Sequence, residues 1–246
     1  MSTQTSPSVI WHDVECGAYD GDLELWRELA AEAGGPILDL GCGTGRVAID
    51  LARHGHSVHG LDLDPELVAA LNARAEAAEL PAAASVGDGR EFDLSEDFPI
   101  VLAPMQFIQV LGGAAERLAC LRCARRHLRP DGRLAVAIVD GMPPELTEEA
   151  APPLPDTREI DGWIYSSLPL DAQLGETGTI VVRRLRQTVS PTGELDDELD
   201  EVPLRLLAAE TVEAEAREAG LEPVGRREIP PTDSHVGSVV VLLEAR

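Results

Sequence analysis

The sequence of 246 residues predicts an α/β fold, a doubly wound and mostly parallel seven-stranded sheet with a small antiparallel β insertion after the fifth strand. Short apolar runs alternate with amphipathic helical segments from residue 22 to residue 139, which is typical of βαβ units. A glycine-rich bend directly follows the first apolar run. Beyond residue 140, prolines and strand-like alternation replace the helical pattern, so an inserted antiparallel layer is expected before the last helix and two strands.

Each element of the open sheet follows from an apolar run, a capping residue or a turn signal. The predicted strands are residues 37–40, 57–61, 84–86, 100–103 and 133–139. The predicted helices are residues 22–33, 47–53, 65–78 and 114–127, with Asp22 near the cap of the first and Asp64 capping the third. Residues 128–132 contain a Pro-Asp-Gly sequence and predict a turn that ends the last of these helices.

The second half of the chain predicts an insertion and then the end of the sheet. Inserted strands are expected at residues 163–168, 179–189 and 202–207, followed by a helix at 211–219 and strands at 222–229 and 238–244. The domain therefore comprises residues 22–142 and 208–246, interrupted by the linker and antiparallel layer of residues 143–207. The acidic run 194–201 lacks the pattern of a calcium loop, and a solvated hairpin end is expected there.

Composition excludes several function classes. The chain has 20 basic and 44 acidic residues and a formal net charge of -24, and every basic residue is an arginine. Chemistry that needs a P-loop or Schiff-base lysine is therefore excluded, and nucleic-acid partners are disfavoured because they require neutralisation of phosphates. No apolar run is long enough for a membrane span and the start lacks a secretory pattern, so a cytoplasmic location with reduced cysteines is expected. The Cys120-x-x-Cys123 pair is interpreted as helix packing, and no metal site is predicted.

Acidic residues and glycines gather at the predicted carboxyl ends of three successive strands. Residues 37–46 run from a buried strand through a glycine loop, and Arg46 stands where a dinucleotide fingerprint requires glycine, so a nicotinamide cofactor is disfavoured. Asp62 follows the second strand at the place where a carboxylate takes both hydroxyls of a ribose. Asp88 follows the third and can accept from an exocyclic amine such as that of adenine. Alternatively, Asp39 and Asp62 cap helices and Asp88 fixes a turn.

From about residue 37 to residue 140 these motifs resemble the class I S-adenosylmethionine-dependent methyltransferases. The resemblance implies that Asp39 and its D-x-G-x-G-x-G motif surround the methionine part of the cofactor, that Asp62 binds ribose, that Leu63 flanks adenine, and that Asp88 meets the adenine amine. It also implies a Rossmann-like sheet of order 3-2-1-4-5-7-6 with the last strand antiparallel. S-adenosylmethionine is then the cofactor and S-adenosylhomocysteine the product. The residues assigned to cofactor binding are Asp39, Gly41, Cys42, Gly43, Gly45, Asp62, Leu63, Asp88, Gly89, Ala103 and Gln106.

The acceptor predicted from the sequence is a small molecule methylated at nitrogen or oxygen. Family members that act on nucleobase or glutamine nitrogens resemble N-P-P-Y or D-P-P-Y after the fourth strand, whereas this chain has Ala103-Pro104-Met105-Gln106. Two alternatives stay open, a non-catalytic sensor that binds the cofactor and a protein or RNA methyltransferase. The sequence does not distinguish a monomer from a homodimer.

Candidate residues for the chemistry come from the termini and the insertion. His235 and Tyr19 are the predicted catalytic residues, with His12 as a further candidate base. Trp11 and Tyr165 are predicted to bind the acceptor, because the resemblance makes residues 1–21 a lid and residues 143–207 a cap over it. Gln109, which follows the fourth predicted strand, is also predicted to bind the acceptor. The alternatives are a surface-turn role for His235, a hydrophobic anchor for Trp11 and Tyr19, and helix capping for Gln106 and Gln109.

Overall fold

The structure is a computed structural model that describes residues 5–140, 154–175, 178–232 and 235–246. Its elements alternate as the sequence predicts. The helices are α1 (Pro7–Glu15), α2 (Leu23–Ala33), α3 (Arg46–Arg53), α4 (Pro65–Ala77), α5 (Ala114–Arg126) and α6 (Ala209–Glu218), with a 3₁₀ turn at Phe107–Gln109. The strands are β1 (Ile37–Leu40), β2 (Val58–Asp62), β3 (Ala82–Val86), β4 (Phe98–Ala103), β5 (Leu128–Ile138), β6 (Asp156–Ile160), β7 (Trp163–Leu174), β8 (Thr179–Val189), β9 (Leu195–Arg205), β10 (Leu221–Ile229) and β11 (Ser238–Ala245).

Seven strands form the main sheet in the order β3-β2-β1-β4-β5-β11-β10. The first five strands are parallel to one another, and β11 is antiparallel to both β5 and β10. Counted along the main sheet alone, this is the order 3-2-1-4-5-7-6, so the predicted fold is confirmed. The sheet order reverses between β1 and β4, which places the carboxyl end of β1 at the switch point where α/β proteins bind ligands.

Helices cover both faces of this sheet because its central strands are apolar on both sides. All four residues of β1 are buried. Leu38 and Leu40 belong to a core shared with α5 and α6, whereas Ile37 belongs to a second core shared with α2 and α3. Cys120 and Cys123 are buried in the first of these cores, in keeping with their interpretation as packing residues.

Four strands form a separate antiparallel sheet in the order β6-β7-β8-β9, which we call the cap sheet. The sequence predicted three strands there and missed β6, whose polar sequence Asp-Thr-Arg-Glu-Ile carries no apolar alternation. The acidic run is also not a hairpin end, since most of it lies in β9. Its carboxylates are tolerated in a strand because β9 pairs with the arginine-rich β8, where Asp200 is opposite Arg184 and forms an ion pair with Arg186.

One further prediction is wrong. Residues 128–132 are not a free turn, because β5 begins at Leu128, opposite Phe98 of β4, and continues through an irregularity at which Asp131 takes a φ of +59°. Asp22 is the N-cap residue of α2, as predicted, although its side chain makes no capping hydrogen bond. Its carboxylate instead binds Arg46 and the indole of Trp26, because both donors approach it in the interior.

The N-terminal helix α1 lies between the main domain and the cap sheet. It contacts α4 on one side and β6 and β7 on the other. The division into lid, α/β domain and cap remains a prediction. In the part of the chain that the structure describes, no helix has both the length and the apolar character needed to cross a membrane.

Candidate active site

The glycine loop after β1 has a backbone that only glycine adopts without strain. Gly41 and Gly43 have φ values of +68° and +53°, in the left-handed region that side chains with a Cβ disfavour. A Cβ on Gly43 would also overlap the ring of His12, which lies directly against the loop. The loop therefore presents bare backbone at the carboxyl end of β1, as a closely approaching ligand requires.

Asp39 supplies a buried carboxyl group behind this loop. Its side chain is 1% exposed, and neither carboxylate oxygen has a hydrogen-bond partner among the described residues. Burial, opposed by the Arg46 guanidinium and reinforced by the nearby carboxylate of Asp62, raises the pKa of Asp39 to about 7. A buried carboxylate without donors is costly, so Asp39 is suited to a cationic ligand that supplies N–H donors.

Asp62 ties the end of β2 to the glycine loop. Its Oδ2 accepts a hydrogen bond from the Gly43 N–H at 2.8 Å, and its Oδ1 accepts one from the Asp64 N–H at 3.0 Å. Asp64, and not Asp62, caps α4 by accepting from the N–H groups of Glu66 and Leu67. Leu63 follows with 67% of its side chain exposed, which is unusual for leucine and leaves an apolar surface beside the carboxylate.

Asp88 is engaged by a neighbouring arginine. The Arg90 guanidinium donates to both Asp88 oxygens, at 2.6 Å from Nη2 to Oδ2 and 2.9 Å from Nε to Oδ1, and also binds Glu116 of α5. These contacts hold the pKa of Asp88 below its usual range, chiefly through the Arg90 hydrogen bonds. An ionised Asp88 retains lone pairs for a ligand amine, so its assignment to adenine stays a prediction.

Phe107 also lies at this site, although it was not predicted from the sequence. The ring of Phe107 lies against two glycines that the chain separates widely, because a Cβ on Gly41 would be 2.5 Å from its Cδ2 and a Cβ on Gly89 2.7 Å from its Cζ. The backbone that places this ring is strained, since Met105 has a φ of +53°. The signal available in the sequence was an aromatic residue shortly after the fourth predicted strand.

Gln109 secures the turn that carries Phe107. Its Oε1 accepts from the Val139 N–H at 2.8 Å, and its Nε2 donates to the carbonyl oxygens of Val139 and Arg205 at 3.2 and 2.9 Å. The amide is buried and both of its N–H groups are used within the protein, which favours a structural role over the predicted contact with the acceptor. Gln106 and Ala103 lie beside this turn at the carboxyl end of β4, and their assignment to the cofactor stays a prediction.

Polar side chains of helix α1 bind the glycine loop. His12 Nδ1 lies 3.2 Å from Thr44 Oγ1, and Asp13 accepts from Thr44 Oγ1 at 2.7 Å and from Arg74 of α4. Burial lowers the pKa of His12. On the other side, Glu15 forms a bidentate pair with Arg186 of the cap sheet at 2.7 and 2.8 Å. These contacts join the glycine loop, α1 and the cap sheet.

The two predicted catalytic residues are in contact. The rings of Tyr19 and His235 are stacked with centroids 4.5 Å apart and planes inclined by 29°. The Arg46 guanidinium carbon lies 5.0 Å from the centroid of the Tyr19 ring. Burial raises the pKa of Tyr19 to about 12 and lowers that of His235, so both side chains are neutral at pH 7.

Trp11 and Tyr165, both predicted to bind the acceptor, also meet. Their rings make an edge-to-face contact with centroids 5.6 Å apart, and the Arg186 guanidinium lies 5.2 Å from the Trp11 ring. They line a cavity of about 340 Å³ between α1 and the cap sheet, together with Ile10 and Thr188. A second cavity of about 310 Å³ contains His59 and lies at the amino ends of the strands, away from the glycine loop.

Comparison with known proteins finds similarity to methyltransferases. Residues 37–132 match a family model described as a methyltransferase domain. The chain is 35% identical over 135 residues to the S-adenosyl-L-methionine-dependent Diels-Alderase iccD of Talaromyces variabilis, covering 51% of this chain and 46% of that protein. It is 35% identical over 100 residues to dTDP-3-amino-3,6-dideoxy-alpha-D-glucopyranose N,N-dimethyltransferase of Streptomyces fradiae, covering 41% and 38%.

The fold is similar to that of solved methyltransferases over nearly the whole chain. The X-ray structure of the sugar N-methyltransferase KedS8 from Streptoalloteichus sp. superposes with a TM-score of 0.76 at 21% identity, covering 100% of this chain and 96% of that one. The chain spans less than half the length of these two curated relatives, 46% and 38%. Residues 37–132 are thus similar to a methyltransferase domain, and the fold of the chain is that of solved methyltransferases.

Proposed function

We propose that the chain is an enzyme that transfers the methyl group of S-adenosylmethionine to a nitrogen or oxygen atom of a small-molecule acceptor. The observation that carries this proposal is Asp39, a buried carboxylate without a hydrogen-bond partner among the described residues, behind a loop of bare backbone at the switch point of the sheet. Such a group fits the ammonium group of a bound methionine moiety, which brings both positive charge and N–H donors.

The other residues at this edge fit the remaining parts of the cofactor. Gly41 and Gly43 admit close approach, and Asp62 has acceptor positions left for two ribose hydroxyls after its bonds to the loop. Leu63 offers an exposed apolar side chain for one face of adenine, and Asp88 an ionised acceptor for its amine. When bound, the cofactor supplies an electrophilic methyl group on a sulfonium, and the protein contributes mainly alignment of the acceptor with it.

A small amine is the acceptor that we propose first. The net charge of -24 opposes nucleic acid, and the volume of the cavity between α1 and the cap sheet, about 340 Å³, fits a small molecule. Its edge-to-face pair, Trp11 and Tyr165, provides aromatic surface for the ring of a sugar or a similar scaffold. The relative from Streptomyces fradiae is named for the dimethylation of an amino sugar, which supports screening amino sugar nucleotides before phenols and acids.

His235 is the proposed proton acceptor. Its pKa is lowered, mainly by burial, so the imidazole is unprotonated at pH 7 and can take a proton from an ammonium or hydroxyl acceptor. A neutral amine that enters unprotonated needs no base for the transfer itself, so the demand on His235 depends on the acceptor.

Calorimetric titration with S-adenosylhomocysteine tests the cofactor part of the proposal. We expect binding by the wild-type chain and at least a tenfold loss in Asp62→Ala, since two charge-assisted bonds to ribose are removed. Asp97→Ala removes an exposed carboxylate at the amino end of β4 and serves as the matched control. No binding by the wild type, or equal losses in the two variants, refutes the proposal.

Product formation tests the acceptor part. Mass spectrometry of reactions with amino sugar nucleotides, simple amines and phenols should reveal a gain of one methyl group together with S-adenosylhomocysteine. Tight cofactor binding without turnover on any of these pools would favour a non-catalytic sensor. Methyl transfer to ribosomal protein or RNA alone would favour a macromolecular acceptor.

A further inference from the structure

We infer that Tyr19 is a positioning residue, which holds the His235 imidazole in place by joining it to the buried ion pair of Arg46 and Asp22. The inference deepens the proposed function and rests on it, because it assigns a role within the same site. It replaces the prediction from sequence that Tyr19 is itself a candidate base.

Tyr19 is next to a buried ion pair between Arg46 and Asp22. The side chains of Arg46 and Asp22 are 8% and 1% exposed, and two bonds of 2.5 and 2.8 Å join them. Asp22 Oδ2 also accepts from the indole N–H of Trp26 at 2.8 Å, and Arg46 Nη1 donates to the Tyr19 carbonyl oxygen at 2.9 Å. Bidentate geometry and these further bonds fix the guanidinium in one orientation. Both the backbone of Tyr19 and its ring are therefore anchored to Arg46.

The Tyr19 ring contacts both the Arg46 guanidinium and the His235 imidazole. It lies within 5.0 Å of the guanidinium carbon and stacks on His235 at 4.5 Å, and Tyr19 is 8% exposed. The ring edge is confined at Gly21, where a Cβ would be 3.1 Å from Tyr19 Cε2. A flat ring that contacts both a fixed cation and an imidazole restricts the plane of that imidazole, which is what a proton acceptor needs for alignment.

Charged groups from several elements act on His235. Burial is the largest influence and lowers the pKa of His235. The cations Arg46 of α3 and Arg184 of β8 lower this pKa as well. The carboxylates of Asp156 of β6 and, more weakly, Asp20 raise it. The Tyr19 phenol has a pKa of about 12, so it stays protonated throughout the range in which imidazole titrates. The hydroxyl therefore takes no part in that titration, and the ring is the part of Tyr19 that His235 depends on.

The experiment compares Tyr19→Phe, which keeps the ring, with Tyr19→Leu, which removes it. The first readout is NMR titration of the His235 imidazole, identified by its loss in His235→Gln. We expect the pKa of His235 in Tyr19→Phe to match that in the wild type. In Tyr19→Leu this pKa should rise, because burial is the main reason that it is low. The second readout is kinetic: kcat should fall about tenfold or more in Tyr19→Leu alone. The KM for S-adenosylmethionine should be unchanged in both variants, since cofactor contacts are retained.

A third variant tests the ion pair. Arg46→Met should also raise the pKa of His235, whereas Arg227→Met, which removes an exposed arginine paired with Glu28 at 2.6 Å, should not. Loss of kcat in Tyr19→Phe equal to that in Tyr19→Leu would overturn the inference in favour of proton transfer by the hydroxyl. An unchanged His235 titration in Tyr19→Leu would overturn it as well. The NMR comparison needs no turnover, so it decides the inference even where an absence of cofactor binding refutes the proposed function.

Discussion

Removal of Asp22 should be among the most destabilising single substitutions in this chain. Asp22→Ala leaves the Arg46 guanidinium buried without its carboxylate and removes the acceptor of the Trp26 indole. Breaking a buried ion pair on one side costs about 3–5 kcal/mol, because an uncompensated charge stays in the interior. That is a large fraction of the roughly 5–15 kcal/mol that stabilises a typical domain.

The matched control is an exposed ion pair with a similar interatomic distance, so the comparison isolates the effect of burial on stability. Glu28 and Arg227 lie 2.6 Å apart, about as close as Asp22 and Arg46, but their side chains are 47% and 43% exposed. Glu28→Ala should therefore cost about 0–1 kcal/mol, because solvent screens exposed pairs.

Urea unfolding followed by circular dichroism gives both values, with an unchanged m-value as evidence that only stability has changed. The double variant Asp22→Leu with Arg46→Met should recover much of the loss, because it leaves no buried charge. Equal losses in Asp22→Ala and Glu28→Ala would refute the reasoning, and so would a double variant less stable than the single one.

Three further predictions follow from the site. Gly43→Ala should weaken S-adenosylhomocysteine binding at least tenfold by calorimetry, whereas Gly193→Ala, with an equally left-handed φ of +86° but open space around it, should change only stability, by about 1 kcal/mol. Affinity for S-adenosylmethionine should rise between pH 6 and pH 8 as Asp39, with its pKa of about 7, ionises, and Asp39→Asn should abolish this rise. Glu15→Ala should speed hydrogen exchange in α1, because Arg186 loses its bidentate partner.

The raised pKa of Asp39 also predicts how the stability of the ligand-free chain depends on pH. Its pKa in the folded chain is raised to about 7 from a reference value of 3.8, so the folded state binds more protons than the unfolded state between these values. This contribution to stability is present below about pH 4 and is lost as pH rises to about 7. The wild type should therefore lose stability relative to Asp39→Asn over that interval, and parallel profiles for the two proteins would contradict the assignment.

Elements with a local signature were predictable from the sequence. The strand at Ile37–Leu40 has the predicted bounds because a short apolar run buried on both faces and a following glycine loop leave little choice. Asp64 was correctly identified as a cap, since an aspartate before proline at a helix start has a local reason to be there. The failed prediction for residues 128–132 has a tertiary reason. Leu128 joins a strand despite its turn-like neighbours because pairing with Phe98 of β4 outweighs the Pro-Asp-Gly signal.

The sequence by itself therefore determined the α/β class and the acidic and glycine residues at successive strand ends, because burial periodicity and backbone conformation are encoded by residues near in the chain. Only the tertiary structure decided which distant side chains share a site. Asp22 and Arg46, Tyr19 and His235, and Phe107 with Gly41 and Gly89 meet through packing of elements far apart in sequence. No spacing within the chain carries that information, since it depends on how the helices and the cap sheet close over the strands.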